Sequence, residues 1–156
     1  MNESLNLLAA FFSLVGCAIG ALNCVFHLAA LVVLGDAQSL SAISVEQLHS
    51  LALMFLKLHA RGYAIGMVLF GSYNILIGYL IFGSTFLPRI LGVLLAISGF
   101  CYQIGNFATF LSPAFAAHLF PYILVPGASE LLLALWLVVV GVNVQRWKEQ
   151  ASAHAR

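Results

Sequence analysis

The residue best suited to chemistry is Glu130, because it is the only acidic residue inside an apolar block of the chain. A lone carboxylate in a hydrocarbon environment must be protonated, hydrated or paired. Such a group could bind a proton, a cation or a ligand, or it could fix the register of packed helices. Arg61 is the expected partner by depth, with His27 and His59 as alternatives.

Two histidines raise the question of a bound cofactor. His27 and His59 could ligate haem or, together with Glu130, a metal such as zinc. The sequence contains no His-x-x-x-His, His-Glu-x-x-His or Cys-x-x-Cys-His motif. Hydrogen-bonded core histidines are therefore the favoured interpretation, and neither haem nor zinc is predicted outright.

Amide side chains share helix faces on two of the apolar segments. Asn23 and His27 are four residues apart, and Gln103 and Asn106 are three apart, so each pair lies on one face of a helix. Polar residues inside a membrane are costly and usually face the interior of a bundle. We therefore count these residues as candidates for ligand binding or proton-linked chemistry.

The basic residues before the second apolar block offer two arrangements. Lys57 and Arg61 share a helix face, while His59 points nearly the opposite way. Either His59 or the basic pair can therefore face the bundle interior. Long basic side chains can also extend to the lipid headgroups.

These residues must be positioned by membrane helices. Hydrophobic residues make up 63% of the 156 residues and charged residues only 7%, whereas a soluble domain is about a quarter charged. A helix needs about 20 mostly apolar residues to cross a membrane. The sequence predicts an all-α integral membrane bundle of four transmembrane helices, in one domain over residues 1–156. The predicted helices cover about residues 5–34, 45–82, 89–111 and 122–146.

The charged residues predict the orientation of the helices. Four of the six basic residues lie at the end of the bundle that also holds both termini. Lys57 and Arg61 lie near the other end. On balance the positive-inside rule predicts N-in and C-in, in a bacterial inner membrane. The formal net charge of +1 provides no basic face for nucleic acid. The basic residues in the majority are Arg89, Arg146, Lys148 and Arg156.

Depth along the predicted helices places polar side chains from all four in the outer third of the membrane. These depths follow from a rise of about 1.5 Å per residue, with a fourth helix that begins at Tyr122. It predicts one polar pocket that opens toward the outer leaflet. The candidate site residues are Asn23, His27, His59, Arg61, Gln103, Asn106 and Glu130.

Two small-residue motifs point to close helix packing. Gly16 with Gly20, and Gly62 with Gly66, have the spacing that lets membrane helices approach closely. Packing within the chain is the simpler interpretation. A homo-oligomer or a partner membrane protein bound at these glycines is the alternative, and membrane lipid is a further expected partner.

Three longer stretches resemble a known bacterial membrane family. They run from Leu58 to Tyr63, from Phe86 through Pro88-Arg89 to Leu94, and from Gly127 through Glu130 and Trp136 to Val142. The resemblance is to the family called domain of unknown function 4386. It implies a six-helix family of which this chain is similar to the last four helices. It implies no activity.

Three classes of function fit these observations. The favoured one is a binding or accessory membrane protein, whose pocket accepts a lipid, a small apolar molecule or a partner helix. A second is a small oligomeric proton-linked transporter that uses Glu130 with Arg61. A third is an intramembrane haem or metal protein that uses His27, His59 and Glu130. Phosphate loops and nucleophile motifs are absent from the sequence, so an enzyme is less favoured but stays open.

Overall fold

The computed structural model describes residues 3–35 and 42–154, apart from the side chains of residues 120, 121, 123–127 and 154. This part of the chain contains α-helices and no strands. Arg156, which was used to predict the orientation, lies outside the described residues. In chain order the helices are α1 (Glu3–Gly35), α2 (Val45–Phe82), α3 (Arg89–Leu111), α4 (Pro113–Val139) and α5 (Val144–His154).

The second helix begins at a capping box formed by Ser44 and Gln47. Gln47 N donates to Ser44 Oγ at 3.3 Å, and Ser44 N donates to Gln47 Oε1 at 3.1 Å. Each bond satisfies a backbone donor that has no partner within the helix. No proline follows until Pro88, and α2 therefore continues without interruption to Phe82.

The fourth helix differs from its predicted limits at both ends. It begins at Pro113 rather than Tyr122, since proline is well tolerated in the first turn of a helix. It ends at Val139, where the amides of Val140 and Gly141 both donate to the Trp136 carbonyl. Gly141 then adopts a φ of 76°, a conformation that side chains other than glycine rarely adopt. A fifth helix follows, bent by 102° from the last part of α4.

Three of the helices in the described part of the chain can cross a membrane by length and composition. They are α1, α2 and α3, and the number becomes four if Ala128–Val139 and the bent segment Val144–Ala153 are taken as one span. Many large apolar side chains on these helices are exposed, as expected for surfaces that face lipid. The chain is therefore an all-α membrane protein.

The helices pack in the order of the sequence. Among the described residues, α1 packs on α2, α2 on α3, and α3 on α4, each pair antiparallel, and no other pair of these helices is in backbone contact. The helices thus pack in a row, each on its neighbour in the sequence, and α2 meets α4 through side chains alone. Any group that joins α2 to α4 must do so through its side chains.

Two pairs of glycines bring α2 and α3 together. A Cβ atom on Gly71 would lie 2.7 Å from the carbonyl oxygen of Gly99, and one on Gly78 would lie 2.6 Å from that of Gly92. No side chain fits at such distances, so both crossings depend on glycine. On each of the two helices the two glycines are seven residues apart, which is close to two full turns.

The glycine motifs chosen from the sequence pack mainly within the chain. Gly16 on α1 faces Gly66 on α2, where a Cβ on Gly16 would lie 3.6 Å from the Gly66 carbonyl oxygen. Gly62 faces Asn23 of α1, whereas no atom lies within 4 Å of the Cβ position of Gly20. Three of the four glycines therefore serve the α1–α2 contact.

Two apolar clusters lie at opposite ends of the helices, as measured along the axis of α2. One joins α1 to the start of α2, through Ala30, Val33, Leu48 and Ala52. The other joins α2, α3 and α4 through Ile81, Leu91, Leu95 and Trp136. The end that holds the second cluster also carries Arg89, Arg146 and Lys148, and we call it the basic end.

Candidate functional site

The first polar site joins α1 to α2, and we call it the histidine cluster: Asn23, His27 and His59. The Asn23 amide nitrogen donates to the His59 carbonyl oxygen at 2.9 Å and lies 3.1 Å from His59 Nδ1. His59 Nδ1 also lies 3.2 Å from the carbonyl oxygen of Asn23. This ring nitrogen can accept from the amide or donate to the carbonyl, according to its tautomer. Either choice connects the two helices.

Glycine makes room for the buried amide of this cluster. Asn23 is only 4% exposed, and a Cβ atom on Gly62 would collide with its Oδ1 atom. That oxygen has no hydrogen-bond partner in the described part of the chain. The close approach of α1 to α2 therefore encloses Asn23, and Gly62 is the residue that permits it.

The rings of the histidine cluster lie against each other at a tilt. The centroids of His27 and His59 are 3.8 Å apart, with 34° between the ring planes. His27 is exposed at the helix surface and His59 is half-buried. Among the described residues no group of three or more His, Cys, Asp or Glu side chains is placed to hold a metal ion. In this arrangement His59 Nδ1 is engaged by Asn23, and the ring forms a hydrogen-bonded contact between α1 and α2.

The second polar site lies on α2, α3 and α4, and we call it the carboxyl cluster: Asn74, Tyr102 and Glu130. The Asn74 amide nitrogen donates to Glu130 Oε1 at 2.6 Å. The Tyr102 hydroxyl also interacts with the Glu130 carboxyl. Asn74 is 1% exposed while Glu130 is half-buried. An amide and a phenol thus reach the same carboxyl from two different helices.

Two buried serine hydroxyls lie next to members of the carboxyl cluster. Ser98 on α3 is fully buried beside Tyr102, and Ser129 is the neighbour of Glu130 on α4. Neither Oγ atom has a hydrogen-bond partner of good geometry in the described structure. A buried helical serine ordinarily bonds to a carbonyl of the preceding turn. These two hydroxyls are therefore available to a further polar group.

Aromatic packing holds the tyrosine of the carboxyl cluster. The ring of Phe70 packs 6.2 Å from that of Tyr102 and 5.6 Å from that of Tyr73, between ring centroids. Tyr73 is itself close enough to Glu130 to interact with its charge. The carboxyl therefore sits in a setting of phenol rings, amide and hydroxyls.

Arg61 and the two α3 amides make other contacts. Arg61 Nη1 donates to the Thr109 carbonyl oxygen near the end of α3 at 2.7 Å. Gln103 Nε2 donates to Ser72 Oγ at 2.8 Å, and Asn106 Nδ2 donates to the Tyr102 carbonyl oxygen at 2.7 Å. The partner of Glu130 is therefore the Asn74 amide, and the expected pairing of Glu130 with Arg61 is wrong.

The sequence of this chain matches a known protein family. The family model described as domain of unknown function 4386 matches residues 1–141, which is most of the chain. The chain belongs to the DUF4386 family. No curated protein and no solved structure matches it. The family carries no assigned activity, so the function of this DUF4386 protein must be argued from its own residues.

The expectation of a single polar layer in this DUF4386 chain is also wrong. His59 and Asn74 lie on the same helix, about 22 Å apart along its axis. Counted from the basic end, Asn74, Ser98 and Glu130 each lie eight or nine residues into their helices, or roughly 13 Å. The structure therefore brings Asn23, His27 and His59 together, and it places Glu130 in a second cluster nearer the basic end.

Sequence reasoning missed the partners of Glu130 and the buried serine next to it. Asn74, Tyr102 and Ser129 were absent from the candidate residues, although all three lie on predicted helices. Counting depth from the basic end would have aligned them, provided that α4 was ended at Val139. Gly141 was the available signal for that ending, because a glycine commonly follows the last turn of a helix.

Proposed function

We propose that this DUF4386 protein is a multi-pass binding protein of a bacterial inner membrane, with four membrane crossings and both termini in the cytoplasm. The apolar helices support the membrane location. Arg89, Arg146 and Lys148 at one end support the orientation, since cytoplasmic ends of membrane proteins are rich in basic residues. The basic end is then the cytoplasmic end, and α5 lies along that membrane surface.

The carboxyl cluster is the proposed ligand site. A single observation carries this proposal: the half-buried carboxyl of Glu130 is bound by uncharged donors, the Asn74 amide and the Tyr102 hydroxyl. A carboxylate at membrane depth that is paired only with neutral donors of the protein retains a strong demand for a positive or donating group. A ligand that brings such a group satisfies the demand.

The chemistry of the site selects a class of ligand. Glu130 accepts hydrogen bonds, and the unused hydroxyls of Ser98 and Ser129 can each donate or accept one. The helices around the site are apolar, and α2 and α4 are not in backbone contact beside it. The best match is a small amphiphile with an amine or hydroxyl head and an apolar tail. A partner helix, the alternative occupant, would have to present the same donor.

Binding of a long-chain amine tests this proposal. Purified protein in mild detergent is titrated with dodecylamine, and the bound mass is counted by native mass spectrometry. We expect Glu130→Gln to weaken binding about tenfold, because a charged hydrogen bond is worth about 1.5–3 kcal/mol. Dodecanoate, which has the same tail and an acidic head, is expected to bind equally weakly to both proteins.

His27→Phe is the matched control, because it changes an exposed residue of the histidine cluster and leaves the carboxyl cluster intact. It should bind dodecylamine like the natural protein. Equal amine binding by the natural protein and by Glu130→Gln would contradict the proposal. Circular dichroism of each variant establishes that its helices are retained.

Proton-linked transport is a second candidate, favoured by the position of Glu130. Its carboxyl is half-buried among groups from three helices, where a proton can be taken up or released without breaking a salt bridge. A transport path would require several copies of so small a protein. Proteoliposomes with an imposed pH gradient should then show proton uptake that Glu130→Gln abolishes, and a monomeric protein without such uptake would contradict this candidate.

A further inference from the structure

A second site of different chemistry lies at the basic end, and we call it the elbow pocket. It is a cavity of about 460 Å³ between the α2–α3 connection and the turn from α4 to α5. Its volume falls within the range of small-molecule sites. The carboxyl cluster lies roughly 13 Å deeper along the helices, so the two sites are separate.

Hydrogen bonds between distant parts of the chain build the elbow pocket. Asn143 N donates to the Phe86 carbonyl oxygen at 3.2 Å. The amide and the hydroxyl of Thr85 both donate to Gln150 Oε1, at 3.1 Å and 3.0 Å. These bonds tie α5 to the α2–α3 connection and fix the bend after α4. The walls of the pocket are thus set by the fold.

The lining of the elbow pocket is apolar on one side and cationic on the other. Arg146 is the one charged side chain among the described lining residues. Its backbone amide donates to Asn143 Oδ1 at 3.1 Å, which places it in the first turn of α5. The positive end of the helix dipole and the guanidinium therefore meet at this rim. The apolar wall consists of Phe86, Leu87, Trp136 and Val140.

Other features make the surroundings suitable for a membrane lipid. Arg89, at the start of α3, lies 5.9 Å from the ring centre of Phe82, and Lys148 lies on α5. The 102° bend turns α5 across the axis of α4, and Trp147 is exposed on it. Tryptophan and basic residues together are typical of helices at the headgroup level.

We propose that the elbow pocket binds the headgroup phosphate of an anionic phospholipid. Arg146 pairs with the phosphate, and the apolar wall covers the glycerol and the first carbons of the acyl chains. Basic pockets beside membrane helices bind anionic lipid headgroups by the same chemistry. The pocket thereby selects lipids of one charge at the end of the protein that holds α5.

Retention of phosphatidylglycerol tests this assignment. The purified full chain in detergent is titrated with phosphatidylglycerol or phosphatidylcholine, and lipid-bound species are quantified by native mass spectrometry. Arg146→Gln should reduce phosphatidylglycerol binding about fivefold, the effect of one basic residue near an anionic surface. Arg146→Lys should keep most of the binding, because the positive charge is retained.

Lys148→Gln is the matched control, since it removes the same charge from the same helix but outside the pocket lining. It should change phosphatidylglycerol binding by less than about twofold. Equal losses from Arg146→Gln and Lys148→Gln would overturn the proposal in favour of general surface charge. Equal binding of both lipids would overturn it as well, as would displacement of the lipid by millimolar inorganic phosphate, which would indicate a site for free anions. Glu130→Gln should leave phosphatidylglycerol binding unchanged, so this test stands apart from the amine test.

Discussion

The histidine cluster and the carboxyl cluster use similar polar residues to different ends. In the first, an asparagine and a histidine bond to each other and to each other's backbone across neighbouring helices. In the second, an asparagine on α2 reaches a carboxyl on α4, and these two helices meet through side chains alone. Polar atoms that bond to the backbone of an adjacent helix fix packing. A carboxyl reached only by side chains retains capacity for a ligand.

The surroundings of the two clusters sharpen this contrast. Asn23 is enclosed by Gly62, so that its free oxygen faces backbone and not a cavity. Glu130 is half-buried, with the unused hydroxyls of Ser98 and Ser129 near it. The buried amide of the histidine cluster is therefore closed off by the contact of α1 with α2. The carboxyl cluster has both open donors and an accessible acceptor.

The largest expected effect comes from Gly99→Ala, which separates the helices that carry the carboxyl cluster. Its Cβ would lie 2.5 Å from the Gly71 carbonyl oxygen and 2.9 Å from Ile75 N, both of them backbone atoms. We expect a loss of about 3 kcal/mol of unfolding free energy, at the upper end for overpacking. Titration with sodium dodecyl sulfate, followed by circular dichroism, measures the loss. Dodecylamine binding should fall with it.

Gly20→Ala is the control for this effect, because it is the same change on a helix where nothing lies within 4 Å of the new Cβ. Alanine favours a helix by about 1 kcal/mol over glycine, so this variant should be unchanged or slightly more stable. If Gly20→Ala and Gly99→Ala lost equal stability, the glycine crossing of α2 and α3 would not be the cause.

Gly62→Ala should have the next largest effect on stability, but little effect on amine binding. Its Cβ would displace the Asn23 side chain and break the bonds to His59. We expect a loss of about 2 kcal/mol, within the range for overpacking with a broken buried hydrogen bond. Dodecylamine binding to the folded protein should stay within about twofold of the natural value. A parallel loss of amine binding would show that the two clusters act as one site.

The sequence was a good guide to the helices and a poor one to their depths. Long apolar blocks and the Ser44–Gln47 capping box predict α1, α2 and α3 well, because hydrophobicity and capping are local properties. The limits of α4 depend on Pro113 and on the turn at Gly141, and the sequence pattern favoured a later helix. An error of several residues in one helix moves a side chain by more than 10 Å. That error placed Glu130 beside the histidines.

The pairing of candidate residues was less predictable than their identity. Helical spacing placed Asn23 and His27 on one face of α1, but it left open whether His59 or the basic pair of α2 faced them. The bond between Asn74 and Glu130 depends on how far α2, α3 and α4 approach, and this is set by the pairs Gly71–Gly99 and Gly78–Gly92. The spacing of seven in both helices was visible in the sequence, but the pairing between helices was not.

A double-mutant cycle on Asn74 and Glu130 should give a smaller effect. Asn74→Ala and Glu130→Ala each remove the 2.6 Å bond, so the two losses should overlap by about 1 kcal/mol. The free energies of unfolding of the natural protein, both single variants and the double variant provide the coupling. Additive losses would mean that this contact contributes nothing to stability, and the Tyr102 hydroxyl would then be the main partner of Glu130.

The smallest expected effect is that of His27→Ala. The ring centroid of His27 lies 3.8 Å from that of His59. The hydrogen bonds between α1 and α2, however, are made by Asn23 and not by His27. We expect a loss of about 0.5 kcal/mol, as for an exposed residue with one ring contact. Asn23→Ala, measured beside it by the same titration, should cost several times more, because it leaves His59 without its buried partner. If His27→Ala were instead as damaging as Asn23→Ala, the two rings would share a function beyond packing. The histidine cluster would then have to be treated as a second site, and not as the contact that holds α1 on α2.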